Sequence, residues 1–156
     1  MKRLQDAGRV LTFPLPPVKI ERNPYVTDSD AFWVSYAYPD DEVHEGSLGC
    51  SRGHIDDYQM DLDHFARWRI GRPEAQRNIH IVAAAVYAYS GRPARQAIAL
   101  ANKLVAKQPH DLAGNYEEKL PNEGGVNIGY VGVMVSGKCD PAAYPTLCCA
   151  SSDRPK

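Results

Sequence analysis

Alternation with a period of two is clearest over residues 31–38, where Phe32, Val34, Tyr36 and Tyr38 fall on one side and Trp33, Ser35 and Ala37 on the other. Successive side chains of a strand point to opposite faces, so this segment is predicted as a half-buried strand. Its aromatic and β-branched content agrees with that assignment. Pro39-Asp40-Asp41 stops it. The apolar run over 126–135 also reads as a strand, but its phase changes: Val126, Ile128 and Tyr130 hold even positions and Val131, Val133 and Val135 odd ones. A bulge near Tyr130 explains the switch in that reading.

Between these strands the period lengthens. Ile55, Tyr58, Leu62, Phe65 and Arg69 recur at helical spacing, and Asp56 and Asp57 precede Arg67 and Arg69 in the order a helix dipole favours. A helix is therefore expected over 54–70. Gly71-Arg72-Pro73 and Gly91-Arg92-Pro93 each place a helix-ending glycine before a proline suited to the first helical position. Helices are predicted over 73–89 and 93–108. The first is apolar nearly all round, as in a central buried helix, whereas the second sets Ala97, Ala101, Leu104 and Val105 against Arg95, Asn102, Lys103 and Lys107. Their short link implies an antiparallel hairpin.

Residues 1–30 carry Pro14, Pro16, Pro17 and Pro24 and read as an irregular segment with short edge strands at 9–13 and 18–21. Residues 39–53 and 109–125 read as loops, and 138–156 as a cysteine-containing tail. The expected fold is a single α+β domain over 1–156: a helical hairpin plus one further helix packed on a small, mostly antiparallel sheet.

Composition narrows the function classes. The chain has 156 residues, 44% of them hydrophobic and 24% charged, which supports one folded core and is too little for two full domains. With 18 Lys and Arg against 19 Asp and Glu, the formal net charge of -1 disfavours a nucleic-acid partner. No run approaches the roughly 18 apolar residues of a membrane helix, and the opening Met1-Lys2-Arg3-Leu4-Gln5-Asp6 lacks the apolar stretch of a secretory signal. A cytoplasmic protein without membrane contact is expected. Cys50, Cys139, Cys148 and Cys149 form no Cys-x-x-Cys pair and read as reduced thiols, with a disulfide fastening the tail as the alternative. No nucleotide-binding glycine motif is present, and no cofactor is implied.

Three groups of residues carry candidate chemistry. His54, Asp57, Asp61 and His64 would share one face of the expected helix, and imidazole with carboxylate suits a metal ion such as zinc, manganese or iron. A solvated acidic face gives the same spacing. Ser47-Leu48-Gly49-Cys50-Ser51-Arg52 puts a thiol between glycine and arginine, where its pKa would fall, and His54 follows as a candidate base. This hexapeptide resembles the Ser-x-Gly-Cys-x-Arg signature of L,D-transpeptidases, which implies Cys50 as a nucleophile toward a peptidoglycan peptide. The segment over 129–137, with Tyr144, Pro145 and Cys148 after it, is similar to the region around the catalytic histidine of papain-like peptidoglycan amidases, with Tyr130 where that histidine stands. That resemblance implies Cys50 again, with His54 or His110 as base.

The leading expectation is nevertheless a non-enzymatic protein-binding or assembly module of bacterial or phage type. Its partner would be another protein or a second copy of the chain. Nine tyrosines and two tryptophans supply interface material, with Trp33, Tyr36 and Tyr38 on the aromatic strand and Asn115 and Tyr116 in the 109–125 loop as binding residues. A cysteine-dependent hydrolase or transpeptidase is the alternative.

Overall fold

The computed structural model describes residues 2–26, 30–40, 42–51, 54–63, 73–90, 92–120 and 124–137. Within them the chain runs α1 (Lys2–Leu11), β1 (Val18–Arg22), β2 (Asp30–Ala37), β3 (Val43–Ser51), β4 (His54–Asp61), α2 (Pro73–Tyr89), α3 (Ala94–Ala106), β5 (Asn115–Lys119), β6 (Gly125–Gly129) and β7 (Gly132–Gly137). The strands form a seven-stranded sheet in the order β1-β2-β3-β4-β7-β6-β5, and each adjacent pair is antiparallel. The fold is α+β.

Two neighbouring cross-strand rows show how sequence alternation becomes two faces. One row runs Ile20, Val34, Gly46, Met60, Val133, Ile128 and Tyr116 across all seven strands. Val34, Met60, Val133 and Ile128 are buried in it, together with the neighbouring Phe32, Tyr36, Leu48, Tyr58, Val126 and Val135. The other row runs Glu21, Trp33, Ser47, Gln59, Met134, Asn127 and Glu117, and no described helix covers it. Helices cover the first face only. α2 touches β4 and β7 and is flanked by α1 and α3.

The alanine-rich α2 is buried from Ile81 to Val86 without interruption, as its all-round apolar pattern predicts. Alanines on both sides let the α3 residues Ala97, Ala101 and Leu104 approach closely, and α2 and α3 pack against each other as the expected hairpin.

The further helix is not where the periodicity placed it. Residues 54–61 form the strand β4 instead. Tyr58, Met60 and Leu62 are buried and Gln59 and Asp61 exposed, a period of two that shares Tyr58 and Leu62 with the helical reading. Pairing between β3 and β7 satisfies the backbone of both flanks, and that tertiary context decides the ambiguity. Residues 64–70 lie outside the described residues. The additional helix is α1, in the segment read as irregular: Leu4, Ala7 and Leu11 bury one stripe, and the prolines begin only after the helix has ended. Its end is a left-handed cap. Thr12 takes φ 57°, and the Phe13 N–H donates to the Gly8 carbonyl at 3.0 Å, the long return bond of a Schellman turn.

The phase change at Tyr130 is a hairpin, not a bulge. β6 and β7 pair Val126 with Val135 and Ile128 with Val133, so even positions of one leg meet odd positions of the other on the buried face. The segments read as loops also contain strands: β3 fills most of 39–53, and β5 lies within 109–125.

Side-chain amides tie the end of β4 to the helices. Asn78 and Gln108 are fully buried. The Asn78 Oδ1 accepts the Asp63 N–H at 2.9 Å, while its Nδ2 donates to the Asp63 carbonyl at 2.9 Å and to Gln108 Oε1 at 3.2 Å. Gln108 Nε2 donates to the carbonyls of Asp63 and Tyr130, both at 3.1 Å.

Gly46 is required by sheer proximity. A Cβ built there falls inside the Gln59 carbonyl oxygen and 2.7 Å from Met60 Sδ. Backbone cannot yield as a side chain can, so Gly46→Ala is expected to cost about 3 kcal/mol, at the upper end of overpacking penalties. Urea unfolding checks this, and Ser47→Ala, one residue away on the uncovered face, is expected to change stability by less than about 0.5 kcal/mol.

Candidate functional site

Two features stand out among the described residues. The first is the sheet face that no described helix covers. An antiparallel sheet with one solvated face ordinarily turns polar side chains outward. Here Trp33 is 48% exposed and Met134 40%, both in the row that begins and ends on Glu21 and Glu117. Three strand spacings separate the two, about 14 Å at the usual interstrand distance. Between them lie the small Ser47 and the amide of Gln59, whose Nε2 approaches Met134 Sδ at 3.6 Å. A depression of about 240 Å³ opens beside Met134, floored by Gly129 and Gly132 and rimmed by Asp61 and Asn127.

The second feature is a cleft of about 330 Å³ where three separate segments meet. Pro14, beyond α1, forms one wall. Tyr38, Pro39 and Asp40, where β2 ends, form another, and Pro73, Gln76, Arg77 and His80 of α2 form the third. The Arg77 guanidinium lies over the Tyr38 ring, 5.4 Å from its centre, and Nη1 donates to Asp40 Oδ2 at 2.9 Å. Burial pushes the Tyr38 phenol up to about 12, with the Arg77 charge opposing and Asp40 assisting. Desolvation pulls the Asp40 carboxyl upward, but the hydrogen bond and charge of Arg77, with backbone N–H groups of the turn, outweigh it and hold its pKa low. His80 stacks on Phe13 with ring centres 4.1 Å apart, and its Nε2 lies 3.0 Å from the Gln76 amide nitrogen. Burial lowers the His80 pKa, so the imidazole is neutral at pH 7.

The residues singled out from the sequence are distributed differently from expectation. Trp33 is on the uncovered face. Tyr36 is buried in the core and is not a surface residue, because its position shares the inward side with Phe32 and Val34. Tyr38, one residue beyond β2, lines the cleft, and the strand that carries Trp33 and Tyr36 is interior, with β1 as the edge. Asn115 and Tyr116 sit on the opposite edge strand β5, five strand spacings or about 24 Å from β2. Tyr116 belongs to the covered row, donates to Glu118 Oε2 at 2.9 Å and carries the Lys107 ammonium 4.3 Å above its ring. Asn115, two residues from Glu117, shares the face of Trp33 at the far edge of the sheet, whereas Tyr116 does not.

The grouping of His54, Asp57, Asp61 and His64 rested on a helix that is a strand through Asp61, so the shared helical face does not exist. His64 lies outside the described residues, and among the described residues no cluster of His, Cys, Asp or Glu is arranged to hold a metal. Cys50 pairs with Ile55 and Ser51 with His54, so Cys50 and His54 occupy neighbouring rungs of the β3–β4 hairpin rather than a turn and a helix start. Their side-chain geometry is not among what the structure describes. Arg52, Cys139, Tyr144, Pro145, Cys148 and Cys149 also lie outside the described residues. Tyr130 is in the β6–β7 turn. His110 is exposed beyond α3, with Nε2 3.9 Å from Asp111 Oδ2.

Met134, Arg77, Asp40 and His80 were missed. Only Met134 left a signal, as the one large apolar residue between the inward Val133 and Val135. Among the described residues no helix is long and apolar enough to cross a membrane. No family model, curated protein or solved structure matches the chain.

Proposed function

We propose that the chain is a non-enzymatic protein-binding module that docks a partner on the uncovered face of its sheet. The observation that carries this reading is the cross-strand row in which Trp33 and Met134 stay exposed on a rigid seven-stranded platform. Tryptophan and methionine are enriched at interface centres, and a polar rim surrounds such anchors. Ser47, Gln59 and Asn127 supply the hydrogen-bonding groups between the anchors, and Glu21 and Glu117 the rim. Lys19, 3.0 Å from Glu21, and Lys119, two residues from Glu117, make that rim one of mixed charge. The setting proposed is the cytoplasm, where thiols without Cys-x-x-Cys spacing stay reduced.

A benzophenone-bearing amino acid placed at position 33 or 134 tests this reading in living cells. Both positions are expected to give the same discrete cross-linked species, identified by mass spectrometry as one partner protein or a second copy of the chain. Position 96, exposed on α3, is the control. Cross-linking at 33 and 134 that is no stronger than at 96 would sink the proposal.

A further inference from the structure

We infer that the cleft between Pro14, Tyr38 and α2 is a binding site for a small ring-bearing carboxylate, whose carboxylate is received by Arg77 in exchange for Asp40. This inference does not depend on the sheet face, and either can fail alone.

The walls select the body of the ligand. Three proline rings and the Tyr38 ring give flat apolar surfaces. About 330 Å³ lies at the small end of ligand pockets and exceeds what a single benzene ring fills. A six-membered ring with a short side chain therefore fits. Gln76 and His80 put one polar pair in the wall, and the neutral imidazole adds no charge.

Arg77 selects the head group. Its side chain is only 16% exposed, pinned against Tyr38. A guanidinium has five N–H donors in a planar fork, and among the described residues Arg77 spends one of them, on Asp40. The fork matches a second carboxylate in bidentate geometry. Asp40 is 58% exposed and sits where β2 turns toward β3, so releasing it to water costs far less than stripping a buried partner. Asp40 thus acts as a built-in competitor that a carboxylate ligand displaces.

Phenylacetate and its neutral isostere phenylacetamide are the probes, measured by protein-observed NMR titration at low salt. Phenylacetate is expected to bind at least about tenfold tighter than the amide, as befits a charge-assisted pair. Arg77→Met is expected to abolish that ratio. Asp40→Asn is expected to tighten phenylacetate binding several-fold, a gain that loss of folding cannot imitate. Acetyl-Pro-Phe with a free C-terminus, against its C-terminal amide, tells the two sources of the same chemistry apart. A dipeptide acid stronger than phenylacetate identifies a chain terminus as the ligand, and a weaker one identifies a free acid. Equal binding of phenylacetate and its amide, no binding of either, or no gain from Asp40→Asn overturns the inference.

Discussion

Raising the pH from about 9 to about 11 is expected to lower the unfolding free energy by about 4 kcal/mol, because three buried tyrosines keep their protons in the folded protein only. Tyr36, Tyr58 and Tyr89 lie in the core, with the Tyr58 and Tyr89 rings 5.0 Å apart. Burial drives all three phenols well above the ordinary value of 10.0; the neighbouring phenols raise Tyr58 and Tyr89 further, whereas the Tyr58 hydroxyl opposes the shift of Tyr36 through a hydrogen bond. An unfolded chain releases these protons near the ordinary value and the folded one does not. Above that pH the unfolded state binds fewer protons, so stability is fully present below it and falls as pH rises. Each group contributes about 1.4 kcal/mol per pH unit in that window. The Tyr38 phenol acts in the same direction more weakly, being partly exposed. Urea titrations at stepped pH, followed by tyrosinate absorbance, measure the slope. Tyr58→Phe is expected to remove about a third of it. The same substitution is expected to cost no more than about 1 kcal/mol at pH 7, because the Tyr58 hydroxyl exchanges at most one hydrogen bond with the Tyr36 phenol. Core tyrosinate absorbance appearing before the unfolding transition contradicts the prediction.

The parts of this fold that were legible are those whose pattern admits one period. Phe32, Val34 and Tyr36 alternate too strictly for a helix, and α2 is too long and uniformly apolar for a strand. Residues 54–62 were not legible, because Tyr58 and Leu62 are four apart and so satisfy both periods. Strand pairing with β3 and β7, invisible in a local window, resolves it. α1 was hidden by prolines that follow it, although Leu4, Ala7 and Leu11 carry a short helical stripe. The β6–β7 hairpin was readable as a phase change and was misassigned, since Tyr130 and Val131 form a turn without a strong turn residue between Gly129 and Gly132. Site residues divide in the same way. Trp33 follows from alternation, whereas the cleft unites Pro14, Asp40 and Arg77 through tertiary contacts that no spacing encodes.

The amide pair Asn78 and Gln108 is where a small change is expected to do the most damage at neutral pH. Asn78→Ala removes the acceptor of the Asp63 N–H and the donor to the buried Gln108 Oε1, while the Asp63 carbonyl keeps Gln108 Nε2. Each buried polar group deprived of its partner costs about 1–3 kcal/mol, so a loss of about 2–4 kcal/mol is expected, a large fraction of a small domain's stability. Gln108→Ala takes donors from the Asp63 and Tyr130 carbonyls and is expected to cost about 2–4 kcal/mol. Both amides donate to the same Asp63 oxygen and the Asn78 amide donates to Gln108 Oε1, so the double variant is expected to lose at least about 1 kcal/mol less than the two single losses added together. Urea unfolding of the four proteins completes the cycle, and strict additivity contradicts the coupling. The latch also bears on the proposed docking face. Asp63 leads out of β4 and Tyr130 out of β6, and β4 with the β6–β7 hairpin frames the depression beside Met134. Loosening the latch in a still-folded Gln108→Ala protein is therefore expected to weaken cross-linking from position 134 more than from position 33, which lies about three strand spacings away.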